Sequence, residues 1–78
     1  MDQSGNAGNT VQDVLVFVYR ALMDNGYSAA IQLANYIVDG DPTYITNYKG
    51  ARGIIRRMER DELLEVIVRD YCERLADE

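Results

Sequence analysis

The strongest constraint on this chain is the tetrapeptide Asp39-Gly40-Asp41-Pro42, which holds its only proline. Gly40 can take the positive φ that closes a helix, Asp41 can cap the next element, and Pro42 suits a first helical position, where no N–H is needed. One helix therefore stops at this turn and another starts almost at once. Downstream, a step of 100° per residue puts Ala51, Ile54, Ile55 and Met58 on one side and Lys49, Arg52, Arg56, Arg57 and Arg60 on the other. The spacing predicts one amphipathic helix over 49–60 with an arginine face.

The segments on either side also read as helical. Residues 1–9 (MDQSGNAGN) are polar and aperiodic and read as a disordered tail ahead of a single helical domain over 10–78. Thr10 and Asp13 form a capping pair, and Val11, Val14, Leu15, Val18, Ala21 and Leu22 recur at helical spacing, predicting a helix over 11–24 that stops at Asn25-Gly26. Ser28 caps a second helix over 29–39, whose polar strip is Gln32, Asn35 and Asp39. Thr43 to Asn47 predicts a single helical turn. Glu59 to Asp61 predicts a break, with Asp61 as the next cap, and a last helix over 62–75 is expected to bury Leu63, Leu64, Ile67, Val68, Tyr71 and Leu75. The pairs Glu65 with Arg69 and Asp70 with Arg74 fall on its outer face, four residues apart. Gly50 and Gly53 weaken the arginine helix and permit close backbone approach. With no period-2 run bounded by turns, the fold class is all-α, a compact bundle of four to five short helices.

A monomer of 78 residues buries only roughly 60 to 65% of its unfolded surface. Val16, Tyr19 and Met23 form a second apolar patch on the first helix, and the second helix is apolar on most sides. Contiguous apolar patches of that kind are uncommon on soluble monomers, so a homodimer is expected, with Val16, Tyr19, Met23 and Tyr36 at its interface. No stretch of about 18 apolar residues and no signal-peptide pattern occurs, which places the chain in the cytoplasm without membrane insertion. With Cys72 as its one thiol and no histidine, the chain offers neither an internal disulfide nor an ordinary zinc site, and Cys72 has no base partner to act as a nucleophile. Asp39 and Asp41 alone do not make a calcium loop. No cofactor and no catalytic constellation is indicated.

The net charge of −5 is unevenly spread: residues 1–48 carry −4, residues 49–60 carry +4, and residues 61–78 carry −5. Acidic flanks oppose non-specific nucleic-acid binding and favour a discrete acidic or phosphorylated protein partner. Tyr36, Tyr44 and Tyr48 read as packing groups rather than a base-stacking platform, which would need a positive groove around it. A helix-turn-helix nucleic-acid binder, built from the second helix, the turn and the arginine helix, is the alternative reading.

NGY (Asn25 to Tyr27), GDPTYI (Gly40 to Ile45) and ARGIIRRMERDELLEVIVRDY (Ala51 to Tyr71) follow one another at a spacing that resembles the IreB/ReoM family of small cytosolic regulators from Gram-positive bacteria. The resemblance covers about residues 11–75. It implies a small helical homodimer without catalytic activity, acting downstream of a membrane Ser/Thr kinase that senses the cell wall. In better understood members, such a protein controls Clp-dependent proteolysis of the enolpyruvyl transferase that commits precursors to peptidoglycan. On the residues alone, the arginine face reads as a solvated surface pairing with Glu59, Asp61, Glu62 and the C-terminal acids. The resemblance instead makes Arg52, Arg56, Arg57 and Arg60, with Lys49 beside them, a partner-binding surface. Arginine suits that role because its planar donors bind carboxylate or phosphate bidentately. Asn47 departs from members with an arginine in this loop. The resemblance also implies a phosphorylated threonine in a segment well ahead of the first helix, a segment not recognisable here. Ser4 and Thr10 are the hydroxyls before that helix, and Thr10 reads first as a cap.

Overall fold

The computed structural model describes residues 10–78; the tail expected over 1–9, Ser4 included, lies outside the described residues. Four helices follow in order: α1 (Val11–Asp24), α2 (Ala29–Asp39), α3 (Ala51–Ile55) and α4 (Arg60–Ala76). Two 3-10 turns, Pro42–Tyr44 and Tyr48–Gly50, join α2 to α3. No strand occurs among the described residues.

The helix ends follow the expected cap chemistry. Thr10 Oγ1 accepts the Asp13 N–H at 3.1 Å, and Ser28 Oγ accepts the Ile31 N–H at 3.4 Å. Asn25 closes α1, its side-chain Nδ2 donating to Ala21 O at 2.8 Å. Gly40 closes α2 with φ 77° and donates its N–H to Tyr36 O at 2.7 Å. Asp41 then caps the next turn, with Pro42 in its first position.

α1 is the central element and packs against α2, α3 and α4. Val14, Val18, Ala21 and Leu22 of α1 are buried with Ala29 and Tyr36 of α2, Ile45 of the loop, Ala51 and Ile55 of α3, and Leu63 of α4. Each large aliphatic group sealed there is worth about 1.5 to 3 kcal/mol relative to exposure, so this small set supplies much of the driving force.

Four sequence expectations are corrected. The continuous helix over 49–60 does not form, because Lys49 (φ 53°) and Gly50 (φ 77°) are both left-handed, a conformation no right-handed helix accommodates. α3 is confined to Ala51–Ile55, a turn follows, and Glu59 is extended. The expected break falls at Glu59, and Glu59 rather than Asp61 caps α4, in a reciprocal box with Glu62: Glu62 Oε1 accepts the Glu59 N–H at 3.1 Å, and Asp61 lies inside the first turn. Second, α4 buries only Leu63, leaving Leu64, Ile67, Val68, Tyr71 and Leu75 exposed, because the other elements of the protomer reach only one face near its start. Third, Tyr36 is 5% exposed and belongs to the core, so it has no surface to give an interface. Fourth, nothing approaches within 4 Å of a Cβ built on Gly50 or Gly53, so neither glycine serves close packing, and Gly50 is needed for its φ.

Candidate interaction surfaces

Because the arginine helix is broken, its five cations have different employments. Arg52 is half-buried and its Nε donates to Ile45 O at 2.9 Å, tying α3 back to the loop before it. Arg60, now the first residue of α4, donates from Nη1 to Ile37 O at 3.0 Å and to Val38 O at 3.3 Å. Its guanidinium lies directly over Gly40, where an added Cβ would fall 2.8 Å from Arg60 Cζ. Arg56 and Arg57 are exposed, and among the described residues neither pairs with a carboxylate. Lys49 Nζ sits 5.4 Å from the Tyr48 ring centroid, a cation-π contact at an exposed corner. Ion pairing occurs instead along α4, Arg69 with Glu65 and Arg74 with Asp70, as the i to i+4 spacing predicts. Asn47 is exposed and its carbonyl accepts the Gly50 N–H at 3.0 Å.

The loop that carries these cations is braced by polar groups of α2. Gln32 Nε2 donates to Tyr44 O at 2.8 Å, and Tyr44 OH donates to Asp39 Oδ2 at 3.0 Å. That bond to a carboxylate raises the Tyr44 pKa above its ordinary value. Asp41 Oδ1 accepts both the N–H and the hydroxyl of Thr43, and these donors hold its pKa below the usual carboxylate value. The bracing role of Gln32 and Asp39 was missed in the sequence; the signal was a polar strip on an otherwise apolar helix immediately before the turn.

On another side, α1, α2 and α4 enclose an apolar groove of about 810 Å³. Leu15, Val16 and Tyr19 line it from α1, Leu33, Ile37 and Val38 from α2, and Leu64 and Ile67 from α4, with Asp70 and Arg74 at one end. Val38 is 77% exposed, an unusual position for valine on a small domain. Met23 is also half-exposed on α1 but does not line the groove.

A family model described as IreB regulatory phosphoprotein matches residues 1–73. The chain belongs to the IreB family. Its match includes residues 1–10, ahead of the stretch in which the sequence motifs were recognised. A UPF0297 protein from Ruminiclostridium cellulolyticum is 51% identical over 70 residues, spanning 90% of this chain and 80% of the relative. IreB membership carries a regulatory role, and the family description names no reaction. No three Cys, Asp or Glu side chains among the described residues gather as a metal site, and no helix among them is long and apolar enough to cross a membrane. Cys72 is exposed on α4. α3, at five residues, is little more than one turn, so the α2-turn-α3 unit lacks the extended second helix that a groove-reading helix-turn-helix places against DNA.

Proposed function

We propose that this IreB-family protein is a non-enzymatic regulator that works in the cytoplasm by protein–protein contact. The observation that carries this reading is a set of cations, Lys49, Arg56 and Arg57, that pair with no carboxylate among the described residues and lie on the turns flanking α3, braced by Arg52, Gln32 and Tyr44. In a chain of net charge −5, such a cluster selects an acidic or phosphorylated protein surface over nucleic acid. Lys49, Arg56 and Arg57 make the direct contacts, while Arg52 and Arg60 hold the backbone that presents them. Following the resemblance, this contact acts downstream of a cell-wall-sensing Ser/Thr kinase, in the control of peptidoglycan synthesis through Clp-dependent proteolysis. The word phosphoprotein in the family description supports phosphorylation of this chain as well, with Ser4 and Thr10 as candidate sites.

The apolar groove serves self-association. A specific interface removes about 800 Å² per partner from water. The exposed apolar residues of α1, α2 and α4 provide a surface that a homodimer would cover, Val16, Tyr19 and Val38 among them. The test of the basic surface is a titration of a partner captured from the source cell against wild type and Arg56→Ala/Arg57→Ala at two salt concentrations. Loss of two charge-assisted contacts weakens binding by about two to four orders of magnitude if both are desolvated. Equal affinities for the two proteins, with no salt dependence, would move the binding surface elsewhere.

A further inference from the structure

Arg60 belongs to the basic band in sequence, but its guanidinium, though exposed, is engaged with backbone carbonyls of α2. The last carbonyls of a helix have no N–H of their own helix to accept from, and at the end of α2 the Gly40 N–H satisfies only Tyr36 O. Ile37 O and Val38 O are left, and Arg60 Nη1 donates to both. A cation at this end is also favoured by the helix dipole. The plane of the guanidinium covers Gly40, which has no side chain to hold it off. A side chain from the first turn of α4 thus secures the last turn of α2. Ile37 and Val38, the residues whose carbonyls it takes, form the C-terminal end of the α2 wall of the apolar groove. Leu64, one turn after Arg60, stands on the facing α4 wall.

We propose that Arg60 is a positioning residue that sets the separation of α2 and α4 at the groove and so shapes the surface on which a second copy of this chain docks. The proposal rests on the reading of the groove as a self-association surface. It divides the basic band by role: a change at Arg60 is felt in the groove, whereas a change at Arg56 or Arg57 is felt only by the anionic partner. Lysine cannot replace it fully, because a compact ammonium on a flexible stem lacks the flat face that lies on Gly40 while reaching two carbonyls.

The experiment compares full-chain wild type, Arg60→Ala, Arg60→Lys and Arg56→Ala/Arg57→Ala by amide hydrogen exchange and sedimentation equilibrium. In Arg60→Ala, exchange at Val38, Asp39 and Gly40 rises by about tenfold or more while Ala21 and Leu22 of α1 keep their protection, and self-association weakens by about tenfold. Arg60→Lys recovers part of both losses, and it carries the test should the alanine variant not fold. The Arg56/Arg57 variant matches wild type in both measurements. Wild-type exchange at the end of α2 with unchanged self-association overturns the proposal. So does a uniform loss of protection across α1 and α2, which would make Arg60 a general stabiliser with no particular hold on the groove. A wild type that stays monomeric overturns the docking part alone, and is told apart because the exchange at the end of α2 still responds to Arg60.

Discussion

Gly40 answers to two demands at once, a left-handed backbone and a guanidinium seated on its open face. Gly40→Ala costs about 1 to 2 kcal/mol for the backbone alone and more for displacing Arg60, so its melting temperature falls by about 5 to 10 °C or more. A thermal scan that leaves the variant within a degree of wild type would contradict both roles. Tyr44 offers a pH test. Its pKa is raised above 10.0 in the folded chain by the bond to Asp39, so its contribution is fully present below pH 10.0 and is lost as pH rises through the higher folded value. Tyr44→Phe is therefore expected to lose less stability than wild type across that alkaline window in denaturant titrations. Asp41 has the opposite sign: with its folded pKa below 3.8, the stabilisation it gives is present above pH 3.8 and lost as pH falls through the lower folded value. Asp41→Asn is expected to flatten that acid limb.

Among the elements, α1 and α2 were legible because both periodicity and caps pointed the same way, and their ends fall where Thr10, Asn25, Ser28 and Gly40 place them. The basic segment was not. Its 100° pattern described a helix, but the pattern cannot register that Lys49 and Gly50 turn left-handed or that the Glu59–Glu62 box starts a new helix. The site was legible to the same extent: the cations were visible as a group, whereas the engagement of Arg52 and Arg60 with carbonyls from 7 to 23 residues away depends on tertiary placement. α4 taught the complementary lesson, since an apolar stripe says that something covers a helix and not whether the cover lies in the same chain. Leu63→Ala, at its one buried position, is expected to cost about 2 to 5 kcal/mol. Leu64→Ala next to it, half-exposed in the protomer, is expected to cost less than about 1 kcal/mol at concentrations where the chain is monomeric. Equal losses in denaturant titrations of the two variants would mean that Leu64 is packed within the protomer after all.

At the scale of the whole molecule, a small core is set against a long list of exposed apolar side chains on α1, α2 and α4, and the groove gathers several of them. The basic loop lies apart from that groove in chemistry but is joined to it through Arg60 at the end of α2. A second copy over the groove would leave Lys49, Arg56 and Arg57 for an anionic partner, presenting them twice. The direct test is sedimentation equilibrium over a range of micromolar concentrations on wild type and Val38→Glu, chosen because Val38 is 77% exposed and its change places a charge in the groove without entering the core. The expected result is a wild-type mass of twice 8.8 kDa and a variant that remains folded at 8.8 kDa. A wild type at 8.8 kDa throughout, or a variant that dimerises as tightly as wild type, would contradict it.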